Sequence, residues 1–116
     1  MHIEELRDYC LNKKGATESF PFDETTLVFK VAGKMFLLTD LEGNFSINIK
    51  NTPEKVIALR EMYPCIHPGY HMNKKYWITV NIEGSINDTL LYRWIDESYG
   101  IIVDSLPKKQ KEALCL

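Results

Sequence analysis

The residues best suited to chemistry are gathered in one run, Pro68–Trp77, which contains an imidazole, an amide, two lysines and three larger aromatic rings. Such groups can transfer protons, contact phosphates or stack on bases. A histidine that acts as a general acid or base also needs a pocket and an orienting partner, and the sequence around His71 indicates neither. We therefore expect Pro68-Gly69 to bend the chain, with His71 in a fixed turn and hydrogen-bonded to the backbone.

The histidines and cysteines do not form a metal-binding pattern. His67 and His71 are four residues apart, but the proline and glycine between them are incompatible with the helix that makes this spacing a metal site. The three cysteines are odd in number and widely separated, which matches neither a disulfide framework nor a zinc motif. We expect free thiols in a reducing compartment and a packing role for Cys65, which has no basic neighbour closer than His67.

Sequence patterns of known catalytic sites are also missing. The chain has no glycine-rich phosphate loop and neither G-x-S-x-G nor H-E-x-x-H. Its acidic residues are scattered rather than paired as in carboxylate catalysis. We predict no catalytic residue, no metal and no cofactor.

The composition is that of one ordinary globular domain, residues 1–116. Apolar residues make up 45%, charged residues make up 26%, and the net charge is −2, which argues against a disordered chain. Proteins that bind nucleic acid non-specifically usually carry a basic excess, so the charge counts against that class but leaves room for a local basic patch. No apolar stretch reaches the roughly 20 residues of a membrane span, and the N-terminus lacks a secretory pattern, so we expect a cytoplasmic protein.

Hydrophobic spacing predicts a helix and then three strands in the first half of the chain. The helix, Ile3–Lys14, has acids early and lysines late, as the helix dipole favours, and Gly15 closes it. The strands alternate apolar and polar residues and are joined by short turns, which indicates an antiparallel meander. The strand ranges are Thr26–Ala32, Met35–Thr39 and Asn44–Lys50.

The second half is predicted to be helix, strand and helix. Thr52 caps a helix that has Pro53 in its first turn and ends at Pro64, and a strand spans residues 76–82. Asn87 caps a longer helix that ends before Pro107, and the tail forms a frayed last turn over Lys108–Leu116. The buried stripes are assigned to Val56, Leu59, Met62 and Tyr63 in the first helix, and to Leu91, Trp94 or Ile95, Ser98 and Ile102 in the second.

These elements predict an α+β fold with the order α-β-β-β-α-β(β)-α. It is a two-layer sandwich in which an antiparallel sheet of about five strands packs helices on one face. Because the strands are half polar, the opposite face should be at least partly open. The residues expected on this open face are Ser46, Asn48, Lys50, Trp77, Thr79 and Asn81.

The open face has two interpretations, which differ in the position of Trp77. In the first, Trp77 is presented for stacking, and Lys74 and Lys75 add charge at the entrance of its strand, which suits phosphates and bases. In the second, the loop 68–73 covers Trp77, and the lysines only keep the sheet soluble.

Several motifs along the chain resemble those of the MmcQ/YjbR family. In order, they are Gly15, Pro21-Phe22, Gly33-Lys34-Met35-Phe36, Ile49-Lys50, the long run 68–80, and Ser98-Tyr99. The resemblance implies a bacterial-type protein with a CyaY-like fold, related in shape to type III secretion chaperones, and a predicted DNA-binding role through a "double wing" motif. One departure is Tyr76, where relatives often carry histidine, so a site built on that imidazole is not expected here.

Two functions follow as expectations. The first is a non-enzymatic DNA-binding protein, and the second is an adaptor of chaperone-like shape that binds a protein or a small ligand. We expect a monomer and no membrane association, and a pocket joining His71 to Tyr99 would indicate a small-molecule site. The candidate binding residues are Lys50, His71, Asn73, Lys74, Lys75, Trp77 and Tyr99.

Overall fold

An antiparallel sheet of six strands forms one layer of the structure, a computed structural model that describes residues 1–115. Its strands lie in the order β1-β2-β3-β4-β6-β5, so that β1 and β5 are the edges. The strands are β1 (Ala16–Ser19), β2 (Thr26–Val31), β3 (Lys34–Asp40), β4 (Ser46–Lys50), β5 (Ile66–Pro68) and β6 (Trp77–Asn81).

Helices cover one face of this sheet. The longest helix, α3, packs on β2, β3 and β4, while α1 contacts β1 and α2 contacts β5 and β6. Within residues 1–115, no helix has the length and apolar character needed to cross a membrane. The helices are α1 (Ile3–Leu11), α2 (Pro53–Met62), α3 (Asp88–Asp104) and α4 (Lys108–Ala113).

Local sequence explains where these elements begin and turn. The side chains of Thr52 and Asn87 accept the backbone N–H of the residue three positions on, at 3.3 and 2.9 Å, and so cap α2 and α3. Ala32 and Gly33 have φ angles of 51° and 77°, and two positive φ angles are what a two-residue hairpin turn with the right twist requires. This turn sets the register of β2 against β3.

A β-bulge concentrates apolar side chains in the core. Phe29 pairs with Leu37 and the next residue, Lys30, pairs with Met35, so Phe36 is the extra residue in β3. Phe36 and Leu37 are consequently both fully buried in the main core cluster under the helices. The same shift returns Met35 to the open face beside Lys30.

The hydroxyl of Ser98 joins α3 to the centre of the sheet. It accepts the Lys50 N–H at 2.9 Å and donates to the Phe36 carbonyl at 2.6 Å. These two backbone groups lie where the β3–β4 ladder would continue beyond the Leu37–Ile49 pair. Ser98 is fully buried, and its predicted place on the packed side of the last helix is confirmed.

The α+β fold and the antiparallel sheet with helices are confirmed, with one strand more than about five. The strand Ala16–Ser19 was not predicted because the segment is short and largely polar. The optional second strand of the second half is present as β5, a segment of three residues to which no range had been assigned. The first helix is shorter than Ile3–Lys14 and ends at Leu11.

Two smaller predictions for the helices were wrong. Met62 does not belong to the buried stripe of α2, because it lies in the last turn and is 65% exposed. The tail after Pro107 is a short helix, α4, rather than only a frayed turn. Leu116, at the end of that predicted tail, lies outside the described residues.

Candidate functional site

Trp77 lies on the open face of the sheet but is covered, with 7% of its surface exposed. It forms a second apolar cluster with Val28 and Leu38, against which Met35, Met72 and Tyr76 pack. The part of the second interpretation in which the loop covers Trp77 is therefore confirmed, and stacking of a base on Trp77 is ruled out in this conformation. The covering element is the loop that precedes Trp77, in which Gly69, Met72 and Tyr76 pack against the tryptophan.

Hydrogen bonds within the loop and to Trp77 hold this loop in place. The Gly69 N–H donates to the Trp77 carbonyl at 3.0 Å, and the Met72 N–H closes a turn onto the Gly69 carbonyl at 3.2 Å. Asn73 supports the far side, because its carbonyl accepts the Trp77 N–H at 3.0 Å and its side chain accepts the Lys75 N–H at 3.0 Å. The loop is therefore an ordered segment, and it forms a wall above the open face of the sheet.

Phe22–Thr26, the segment that leads into β2, forms a facing wall. The Asp23 carboxylate accepts the backbone N–H groups of Thr25 and Thr26 at 2.9 and 2.6 Å, which fixes the turn into the strand. These bonds hold the pKa of Asp23 below its usual value. Phe22, next to it, is 63% exposed.

A cleft of about 680 Å³ lies between these walls, and we call it the open-face cleft. The Tyr70 side chain, 71% exposed, lines it on the loop side, and Phe22 lines it on the other side. Met35, Leu38 and Met72 give it apolar surface, while amides, hydroxyls and carboxylates give it polar groups. The remaining lining residues are Asp23, Thr25, Thr26, Thr39, Asp40, Asn48, His71 and Asn73.

A chain of hydrogen bonds ties the loop to the central strands next to the cleft. The Thr79 hydroxyl accepts the Tyr70 N–H at 3.0 Å and donates to the Asn48 side-chain oxygen at 2.5 Å. Asn48 and Thr79 are cross-strand partners on the open face, as the predicted alternation requires. Since the Asn48 oxygen accepts from Thr79, its amide nitrogen is available to donate to a ligand.

The charge of the open-face cleft is negative. Asp23 and Asp40 are its carboxylates, and His71 is the only lining side chain in the described part of the chain that can become positive. Asp40 accepts the Glu42 N–H at 2.9 Å through one oxygen, which leaves the other for a ligand. This sign is opposite to that of a phosphate-binding surface.

His71 occupies a turn, as expected, but not with the expected bond. Its φ of 59° lies in the left-handed region at the third position of the turn Gly69–Met72. Its imidazole lies against the Tyr70 ring, with the ring centroids 4.0 Å apart. No bond from the imidazole to the backbone is present among residues 1–115, so the prediction that it anchors the turn in this way was wrong.

The predicted lysines collect at a different place, around Tyr76. The ammonium groups of Lys50 and Lys75 lie 5.5 and 5.6 Å from the centre of the Tyr76 ring, within the range of cation–π attraction. Lys74 is exposed on the adjoining part of the loop. We call Lys50, Lys74, Lys75 and Tyr76 the Tyr76 corner.

Tyr99 does not belong to either group of residues. Its ring packs edge-on against Phe36, in the main core on the helix side of the sheet, with centroids 5.3 Å apart. Its hydroxyl donates to the Lys14 carbonyl at 2.5 Å. A pocket shared by His71 and Tyr99 is therefore excluded, because the sheet separates them.

The other reactive groups lie outside the open-face cleft. Cys10 is fully buried, which raises the pKa of its thiol to about 12, and Cys65 is buried as well. In the described part of the chain, no three His, Cys, Asp or Glu side chains come close enough to hold a metal ion. Neither observation supplies a nucleophile or a metal to the cleft.

Sequence reasoning identified His71 and Asn73 but missed most of the cleft. Phe22 and Asp23 come from the turn before β2 and Asp40 from the end of β3, and only the sheet brings them beside the loop 68–77. The usable signal was the pair of aromatic residues in polar turn segments, Phe22 and Tyr70, because an aromatic ring left in solvent often marks a binding surface.

Comparisons with known proteins identify the family. The YjbR sequence profile matches residues 11–101. The chain is 42% identical to the Escherichia coli O157:H7 protein YbdF over 94 residues, 80% of this chain and 77% of YbdF, and 33% identical to Escherichia coli K12 YjbR over 115 residues, 98% of each. The crystal structure of Deinococcus radiodurans DR2400, a DUF419 domain, superposes with a TM-score of 0.92 at 36% identity, over 97% of this chain and 87% of that one. This chain belongs to the YjbR family.

Proposed function

We propose that this protein is a non-enzymatic binding protein whose small ligand occupies the open-face cleft. The observation that carries the proposal is a cleft of about 680 Å³ with apolar surface and several convergent polar groups. Small-molecule sites commonly have volumes of about 300–1,000 Å³ and this mixture of apolar and polar lining. A protein partner that adds a strand would bind at an edge of the sheet. The cleft lies on the face of the sheet, so we favour a small ligand over a protein segment as its occupant.

We infer no catalysis, because no base or nucleophile in the cleft is hydrogen-bonded to a side chain that would orient it. The imidazole of His71 contacts the Tyr70 ring rather than a carboxylate, and Asp40 accepts a backbone N–H rather than a bond from His71. Asp23 is committed to holding the turn into β2. A general base or a nucleophile would need an orienting partner within hydrogen-bond reach.

A preformed wall favours binding. The loop is fixed by the Gly69–Trp77 and Tyr70–Thr79 bonds and by the packing of Met72 on Trp77. A site that is already ordered loses less conformational entropy when its ligand arrives. Tyr70 and Phe22 add exposed aromatic surface to this ordered site.

The test is a fragment screen by NMR against the native protein, with neutral, cationic and anionic compounds. We expect hits that shift the amides of residues 70–73 and 25–26, and we expect Tyr70→Ala and Phe22→Ala to weaken them. Phe20→Ala is the matched control, because Phe20 is also an exposed aromatic of the same connection but does not line the cleft. Hits that bind equally well to Tyr70→Ala and Phe22→Ala, or the absence of hits, would contradict the proposal.

The Tyr76 corner supports DNA binding as a second candidate function, the role that the double-wing assignment implies. Lys50 and Lys75 flank the Tyr76 ring, an arrangement in which lysines can contact phosphates while the ring stacks on a base. Trp77 contributes nothing to this surface while the loop covers it. The negative cleft beside the corner opposes a broad nucleic-acid interface.

Fluorescence anisotropy with labelled single-stranded and duplex DNA tests this second candidate. Binding should weaken steeply with salt, and replacing Lys74 and Lys75 with alanine should reduce the salt slope by about one to two. The paired control is Lys108→Ala with Lys109→Ala, which removes the same charge from α4. Failure to bind either DNA at low salt would remove this candidate.

We also propose a monomer in the cytoplasm. The three cysteines are free, with Cys10 and Cys65 buried and Cys115 exposed, which suits a reducing compartment. Analytical ultracentrifugation should give a single species of monomer mass with or without reductant, and a dimer that persists in reductant would contradict the monomer.

A further inference from the structure

The charges of the open-face cleft restrict the ligand that it can hold. We infer that the ligand is a small organic cation, an ammonium group attached to an apolar or aromatic body. This inference rests on the proposed function and names the chemical class of its ligand.

The carboxylates give the first reason. Asp23 and Asp40 both line the cleft, and no lysine or arginine of the described chain does so. The oxygen of Asp40 that is not bonded to the Glu42 N–H can accept from an ammonium group. Asp23, whose oxygens already accept from Thr25 and Thr26, adds a fixed negative charge on the same side of the cleft, because Asp40 pairs with Thr26.

The aromatic rings give a second, independent reason. Phe22 and Tyr70 line the cleft and are 63% and 71% exposed. The face of an aromatic ring attracts a cation, and this attraction grows when a bound ligand displaces water. A carboxylate or phosphate ligand would meet both the ring faces and the acidic side chains unfavourably.

The apolar lining fits the remainder of such a ligand. Leu38, Met35 and Met72 present aliphatic and thioether surface, and methionine adapts readily to ligands of different shape. Asn48 and Asn73 add amide groups that can orient a hydroxyl. The lysines of the Tyr76 corner do not line this space, so an ammonium group bound there would contact no lysine.

Three probes of nearly the same shape but different charge test the inference: 2-phenylethylamine is a cation, 2-phenylethanol is neutral and phenylacetate is an anion. Titrations of the native protein are followed by amide NMR shifts at neutral pH and low salt. We expect the amine to bind about tenfold more tightly than the alcohol, from one partly exposed ion pair and one cation–π contact. Phenylacetate should bind more weakly than both.

The Asp40→Asn variant removes the carboxylate proposed to bind the ammonium group and keeps the shape of the side chain. It should weaken the amine about fivefold and leave the alcohol unchanged, since an amide oxygen can still accept the Glu42 N–H. Glu42→Gln is the control, because it removes one exposed carboxylate that borders the neighbouring groove but does not line this cleft.

The outcomes separate the charge of the ligand from the existence of a binding site in the cleft. If the alcohol binds in the cleft as tightly as the amine and Asp40→Asn changes nothing, the cation inference is overturned while the cleft remains a binding site. If phenylacetate binds best, the inferred sign is wrong. If none of the three shifts the cleft amides, the inference is overturned, and a fragment screen that also fails there removes the proposed function as well.

Discussion

Gly69 packs directly against Trp77 with no room for a side chain. A methyl group placed on Gly69 would lie 2.7 Å from the Trp77 Cβ and 2.9 Å from its carbonyl oxygen. The Gly69 N–H also bonds that carbonyl. This close approach brings the loop down onto the sheet, covers the indole and gives the open-face cleft one of its walls.

Gly69→Ala should displace the loop and expose Trp77. We expect a loss of about 1–3 kcal/mol in the free energy of unfolding, because backbone and Cβ must move. In a Trp94→Phe background, where Trp77 is the remaining tryptophan, its fluorescence should shift to the red and be quenched more readily by acrylamide.

Gly100→Ala is the matched control for that substitution. Gly100 lies inside α3 with open space around its Cβ position, so alanine should stabilise the helix by about 0.5–1 kcal/mol. Equal effects of the two substitutions would contradict the close packing of Gly69 on Trp77.

Ser98→Ala should destabilise the centre of the molecule. The substitution leaves the Lys50 N–H and the Phe36 carbonyl without their shared partner in a buried position, which costs about 1–3 kcal/mol. Urea denaturation measures this loss. Ser105→Ala, which removes a hydroxyl bond at the exposed end of α3, should cost less than about 1 kcal/mol; a similar loss in both variants would contradict the role assigned to Ser98.

Thr79→Val should loosen the loop without removing volume. It deletes the hydroxyl that links the Tyr70 N–H to Asn48, so the Tyr70 amide should exchange its hydrogen faster. Hydrogen exchange followed by NMR measures this rate. Thr89→Val, at an exposed position of α3, is the control, and an unchanged Tyr70 rate in Thr79→Val would contradict the link.

The cysteines should react in an order set by burial. At neutral pH a thiol reagent should label Cys115 in the native protein, whereas Cys10, whose buried thiol has a pKa of about 12, should react only after unfolding. Mass spectrometry of native Cys115→Ser should therefore show almost no labelling. Rapid labelling of that variant would show that the core around Cys10 or Cys65 opens.

Acid should selectively weaken the turn into β2. The folded-state pKa of Asp23 is lowered mainly by the Thr25 N–H and next by the Thr26 N–H. The ionised carboxylate therefore stabilises the fold at pH values above the unfolded pKa of about 3.9. This stabilisation is lost as the pH falls through the folded pKa. The stability difference between the native protein and Asp23→Asn should shrink in that window. Glu24→Gln, one position along, is the control, and a difference that does not change with pH would contradict this account.

The helix caps and strand alternation were readable from sequence because they depend on near neighbours. Thr52, Asn87 and the alternation of Asn48 and Lys50 all predict what the structure contains. The edge strand β1 was not readable, because a short polar segment joins a sheet only through its pairing with β2.

The candidate site was predicted only in part for a related reason. The run 68–77 was recognisable, but whether it presents or covers Trp77 depends on the close approach of Gly69, which local propensity does not encode. Its facing wall comes from a turn some 45 residues earlier, and the negative charge of the cleft arises only when the sheet brings Asp23 and Asp40 to it.

The most direct test of the central claim is an amide NMR map of the native protein titrated with 2-phenylethylamine. Binding of the amine in the open-face cleft should give saturable shifts confined to residues around Thr25, Asp40 and Tyr70–Asn73, on the open face of the sheet. Shifts centred on the Tyr76 corner or on the helix side, or no saturable shifts while other fragments also leave the cleft unchanged, would contradict it.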